Sequence, residues 1–225
     1  MKERPILFSG PMVRAILDGR KTQTRRLVKH IPMLGEPKAW CATAKAQEPG
    51  WVHIVGDYTR FCPHGQPGTH LWVRETFCCK MGVDGYIYKN GKQECYYRAT
   101  ENKQITKDDG NGGTEYRQNG VEASPWSPSI FMPRWASRIT LEITDVRVER
   151  LQCIGESDAM AEGIPLPNEQ SQFSGAWWTN YDGIGHSTQS GILVFSHLWD
   201  SINAKRCPWE SNPWVWAITF RRITR

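Results

Sequence analysis

Apolar residues recur along this chain at two spacings, one helical and one strand-like. Near the start, Val13, Ile16 and Leu17 follow the helical period. Ser9-Gly10-Pro11 precedes them, with Ser9 a candidate N-cap and Pro at an early helical position. Gly19 stands where glycine ends helices. The pattern predicts a short amphipathic helix that leaves through Gly19-Arg20-Lys21-Thr22-Gln23-Thr24-Arg25-Arg26-Leu27-Val28 and becomes a strand near Thr22. Leu71-Trp72-Val73-Arg74-Glu75-Thr76-Phe77 alternates, putting Leu71, Val73, Glu75 and Phe77 on one face. Three of these are apolar, so a carboxylate is predicted on an inner face. Lys89-Asn90-Gly91-Lys92, between Tyr86–Tyr88 and Tyr96–Ala99, predicts a hairpin. Ile139, Leu141 and Ile143 alternate, and Val146 and Val148 resume on the opposite parity, which predicts a bulge or bend near Asp145. Glu156–Glu162 reads as a short helix ended by Gly163. Phe195, Leu198, Trp199 and Ile202 predict a helix with one buried stripe. Trp214–Phe220 predicts a strand with Trp214, Trp216, Ile218 and Phe220 on one side.

The stretches between these elements are polar or rich in Pro and Gly. Residues 31–66 read as an irregular excursion, 100–125 as a flexible surface insertion, and 165–189 as a further loop. Neither a repeat nor a linker breaks the pattern. The expectation is one domain over residues 1–225 carrying those three insertions. Its class is mainly β with α (α+β): a small, partly open β-barrel decorated by short helices.

Composition narrows the partners. With 39% hydrophobic and 23% charged residues, the chain has the make-up of an ordinary soluble domain. A net charge of +5 favours an anionic partner but falls short of a dedicated duplex-DNA binder. A nucleotide or a short piece of RNA suits it. Eleven Trp residues can serve as core or as stacking platforms for bases. The seven Cys residues (41, 62, 78, 79, 95, 153 and 207) are odd in number and irregular in spacing, and Met1–Leu7 holds no long apolar run. A cytoplasmic protein without a disulfide framework or a membrane partner is expected. Cys62-Pro63-His64 is too tight for a zinc ligand pair, and adjacent Cys78 and Cys79 would face opposite ways on a strand, so no metal site is expected.

Gly19, Lys21, Thr24 and Arg26 fill a Gly-x-Lys-x-x-Thr-x-Arg pattern that follows a helix and precedes a strand. This resembles the signature of ASCH domains, members of the PUA-like superfamily. Gly68–Phe77 is similar to that family's Gly-Asp-x-Leu-x-Val strand, with Thr69 in place of the usual Asp. Arg138–Glu149 followed by Glu156–Gly163 is similar to its strand-then-helix unit, and Asn212-Pro213-Trp214-Val215-Trp216 resembles the tail of longer phage and prophage members. The three insertions lie outside the resemblance.

The resemblance implies a PUA-like barrel and, from the small bacterial members, an amidohydrolase acting on N4-acetylcytidine without a cofactor. Their catalytic Lys, Thr and Glu carry over to Lys21, Thr24 and Glu162, the last matched by Ala161-Glu162-Gly163. Glu75 is a rival for the carboxylate, from its inward parity. The residue types suit the reaction. A Thr hydroxyl needs a base before it attacks an amide, a desolvated Lys can be a neutral amine, and a Glu can protonate the leaving N4. Arg26, Glu75, Arg74, Arg138 and Trp72 are the candidates for holding substrate, and Arg25, Arg26, Arg134 and Arg138 for tracking phosphate. The expected partner is a modified nucleoside or a nucleic acid (RNA or a single strand). The alternative to an enzyme is a non-catalytic reader of RNA, single strands or modified bases. A nuclease is disfavoured, because no carboxylate cluster for two metals is apparent.

Overall fold

A computed structural model describes residues 3–28, 58–82, 85–86, 88–89, 92–100, 105–108, 114–118, 121–164, 177–179, 186–188 and 190–223. The principal elements are β1 (Glu3–Leu7), α1 (Gly10–Leu17), β2 (Gln23–Leu27), β3 (His70–Arg74), β4 (Phe77–Cys79), β5 (Cys95–Tyr97), β6 (Thr140–Arg150), α2 (Glu156–Ala161), α3 (Gly191–Asn203) and β7 (Trp214–Ile223). The fold is strand-rich mixed α/β with few helices. The strands form a mixed sheet, with β1 parallel to β3 and β7 antiparallel to β2. No closed barrel is formed among the described residues.

The chain divides into two compact units. The first comprises Met1–Leu17, His70–Leu141 and Arg222–Arg225, the second Asp18–Thr69 and Glu142–Arg221. In the first unit the strand order is β1-β3-β6. β1 and β3 run in register from Glu3↔His70 to Leu7↔Arg74. Val13, Ala15 and Ile16 of α1 are buried, as are Ile6, Phe8, Leu71 and Val73. In the second unit the order is β6-β7-β2. β7 is the middle strand there, and Val215 to Ile218 are buried in succession, so both of its faces are covered rather than the single face that alternation implied.

β6 crosses from one unit to the other, and its burial follows the predicted change of phase. Leu141 and Ile143 are buried, Thr144 and Asp145 are both exposed, and Val146 and Val148 are buried on the other parity. Other expectations need correction. The run from Leu71 to Phe77 is not one strand: β3 stops at Arg74, and β4 pairs with a new partner, β5. Cys78 and Cys79 do pack on opposite faces, Cys78 with Tyr96 and Ala123, Cys79 with Phe77, Met132 and Ala136. The hairpin expected at Lys89-Asn90-Gly91-Lys92 does form, but Tyr88–Lys89 pairs with Lys92–Gln93 rather than with Tyr96–Ala99, and Asn90 and Gly91 lie outside the described residues. The segment 100–125 contains a three-stranded antiparallel sheet, Ile105–Asp108, Thr114–Gln118 and Val121–Glu122. Those strands are largely polar, so no hydrophobic alternation marks them. Within 165–189, Trp177–Thr179 pairs with His186–Thr188, and the rest lies outside the described residues. The same holds for 31–57 of the first excursion, while Tyr58–Phe61 forms a 3-10 turn. In α3, Val194, Phe195, Leu198 and Trp199 are buried, but Ile202 is 58% exposed, so the buried stripe ends one turn early.

Candidate active site

Two glycines in left-handed backbone conformations deliver the central residues of the second unit. Gly19 (φ 77°) follows α1, and the chain then meets the end of α2 edge to edge. Lys21 forms a β-bridge with Glu162, and the Thr22 N–H donates to the Ala161 carbonyl at 2.8 Å. Glu162 is the C-cap of α2, and Gly163 (φ 89°) turns the chain away, a conformation that suits a residue without Cβ. The opposite end of α2 is also tied. The Glu156 carboxylate accepts from Ser190 Oγ and from the Gly191 N–H, both at 2.7 Å, which fixes α2 against the start of α3.

This backbone arrangement closes a buried ion pair. Lys21 Nζ donates to Glu162 Oε2 at 2.6 Å and to the Glu162 carbonyl at 2.7 Å. The two side chains are 0% and 3% exposed. Charges this deep carry a desolvation cost unless they are paired and fully bonded. Burial pushes the Lys21 ammonium below the ordinary lysine value. Glu162 opposes that shift, and the positive charges of Arg26 and Arg25 add to it.

Arg25, whose side chain is fully buried, lies against the same carboxylate. One terminal nitrogen donates to Glu162 Oε1 at 3.3 Å and to Gln23 Oε1 at 2.5 Å. The other donates to Glu149 Oε1 at 2.6 Å and Asp158 Oδ2 at 3.0 Å. The guanidinium carbon lies 5.8 Å from the centre of the Phe195 ring. Gln23 also donates to Asp158, and Arg147 donates to Asp158 at 3.0 Å. The result is an alternating array: Lys21, Arg25 and Arg147 against Glu162, Asp158 and Glu149.

Thr24 is buried on β2, opposite Ile218 of β7. Strand alternation sets Thr24 and Arg26 on one face of β2 and Gln23 and Arg25 on the other. No described hydrogen bond links the Thr24 hydroxyl to Lys21 or Glu162. The structure therefore brings Lys21 and Glu162 together, while Thr24 lies three residues beyond Lys21 in β2, on the face opposite Arg25.

The remaining candidates belong to the first unit. Glu75 is buried, and Arg138 grips it with both prongs, Nε to Oε1 at 2.9 Å and a terminal nitrogen to Oε2 at 3.0 Å. Arg138 also lies 4.1 Å over the Tyr97 ring, whose hydroxyl donates to the Ala136 carbonyl at 2.8 Å. Trp72 is buried, with the Arg74 guanidinium 4.7 Å over its ring. Arg134 is bonded to both oxygens of Glu3. Three of the four arginines read as phosphate contacts (Arg25, Arg134 and Arg138) are thus committed to carboxylates. The residues that the sequence pattern did not single out are Gln23, Glu149 and Asp158, and for Arg25 its role among them. No local signal marks them, since Glu149 and Asp158 lie 124 and 133 residues from Arg25.

No family model, curated protein or solved structure matches the chain.

Proposed function

We propose that this chain is an amidohydrolase that removes an acyl group from N4 of a cytosine nucleoside or base, on a domain of PUA-like type. The observation that carries this reading is the fully buried Lys21–Glu162 pair at 2.6 Å, formed by two residues that the motif resemblance names and that lie 141 positions apart. The order of motif strand, long strand, short helix and closing strand supports the PUA-like assignment, and the open strand order marks this version as unclosed among the described residues.

In this mechanism neutral Lys21 takes the proton of the Thr24 hydroxyl. Its lowered pKa makes the neutral amine accessible nearer neutral pH. Thr24 Oγ1 then forms a bond to the acyl carbon. The bond from that carbon to N4 breaks as the Lys21–Glu162 pair returns the proton to N4, releasing the free cytosine amine. Water cleaves the resulting ester, giving the carboxylic acid and restoring Thr24. Arg26, on the same face of β2 as Thr24, is suited to the developing oxyanion. The array supplies bases and positive charge from side chains.

The test is to incubate the purified chain with N4-acetylcytidine and follow cytidine by chromatography. Turnover is expected, with Lys21→Ala and Thr24→Ala each lowering kcat by about 10³-fold. No turnover, or full turnover by Lys21→Ala, would sink the reading. Tight binding without turnover would make the chain a non-catalytic reader of modified bases.

A further inference from the structure

We propose that Arg25, which is outside the three residues of the mechanism, is a positioning residue that divides the Glu162 carboxylate between two cations and keeps one oxygen for Lys21. This rests on the amidohydrolase reading.

The geometry is specific. Glu162 Oε2 is taken by Lys21 and Oε1 by Arg25. Arg25 is itself held by Gln23, Glu149 and Asp158, so its planar fork has little freedom. Phe195 of α3 lies against it and Arg147 neutralises Asp158 from outside. If Lys21 alone were hydrogen-bonded to Glu162, loss of its proton would leave a buried carboxylate with only the more distant charge of Arg26 to offset it, which is unfavourable. With Arg25 in place, Glu162 keeps a positive partner while Lys21 is neutral. Arg25 therefore lowers the cost of making the base.

The charged groups around Lys21 are Glu162 on α2, Arg25 and Arg26 on β2, and, through Arg25, Asp158 on α2 and Glu149 on β6. The sign follows from them. Removing the positive charge of Arg25 lessens the repulsion on the Lys21 ammonium and leaves Glu162 wholly to it. Both effects raise the pH at which Lys21 loses its proton. Removing the charge of Glu149 leaves Arg25 more positive in its effect and moves that pH down.

The experiment pairs kinetics with direct titration of the Lys21 side chain by NMR in the full chain. Arg25→Gln is expected to lower kcat/KM about 10- to 100-fold at neutral pH, and to move both the acid limb of the rate profile and the Lys21 titration upward. Arg25→Lys, which keeps the charge and loses the fork, is expected to restore the titration but not the full rate. Glu149→Gln is expected to move the titration down, which keeps the proposal testable should Arg25→Gln fail to fold. An unchanged Lys21 titration in Arg25→Gln, or an upward shift in Glu149→Gln, overturns it. Should the wild-type chain not hydrolyse N4-acetylcytidine, the amidohydrolase reading fails, while the Lys21 titrations still decide what Arg25 does.

Discussion

Two buried glutamates, one in each unit, are rival candidates for the same catalytic carboxylate and differ in how their oxygens are spent. Glu75 gives both oxygens to one arginine, Arg138, whose side chain is 28% exposed and packs on Tyr97. That is a closed bidentate pair, both carboxylate oxygens bonded to one planar guanidinium. Glu162 splits its oxygens between Lys21 and Arg25, both fully buried, and Lys21 is a group whose proton burial loosens. Depth of burial does not separate the two carboxylates; the presence of a titratable partner does.

Breaking each pair should show the difference most strongly. Glu162→Gln leaves Lys21 and Arg25 buried around a neutral amide and is expected to destabilise by about 3–5 kcal/mol, with turnover abolished. Glu75→Gln leaves a partly hydrated arginine and is expected to lose about 2 kcal/mol with kcat nearly unchanged. Denaturant unfolding and cytidine release measure both. An equal loss of activity in the two variants would restore Glu75 as the rival.

A smaller effect lies in pH. The folded-state pKa of Lys21 is lowered, so above it the unfolded chain binds more protons at this position than the native one. The burial cost of the ammonium is fully present below the folded pKa. It is relieved as pH rises from there to the ordinary lysine value. The stability of the wild-type chain relative to Lys21→Met should therefore increase with pH across that window, as chemical denaturation at a series of pH values would show. A flat difference would mean that the proton is not loosened. As the smallest effect, Asp18→Asn removes the exposed partner of Arg20 and is expected to change stability by no more than about 0.5 kcal/mol. A larger change would mean that solvent screening does not set the scale here.

Much of this was legible in the chain. The inward parity of Glu75, the phase change at Thr144 and Asp145 and the short helix ending at Gly163 follow from local periodicity, which a single sequence carries. Lys21 and Glu162 were paired through the motif resemblance. The role of Arg25 was not legible, because its carboxylates lie 124, 133 and 137 residues away and nothing local announces them. The break between β3 and β4 was hidden for a similar reason: β4 takes a new partner, β5, while the alternation runs on unbroken. Ile202 continues the stripe in sequence, but the packing of α3 stops before it.

The backbone bridge between Lys21 and Glu162 has a consequence for how such a chain can change. The bridge, and the Lys21 Nζ bond to the Glu162 carbonyl beside it, join residues 141 positions apart, and the entropy of closing a loop grows only with the logarithm of its length, about 0.6 kcal/mol for each doubling. Once that contact exists, sequence added to the connecting loops between its ends, outside the strands and α2, costs the pair little. Long segments can be grafted onto this scaffold while the two residues at the neck of the loop stay where they were.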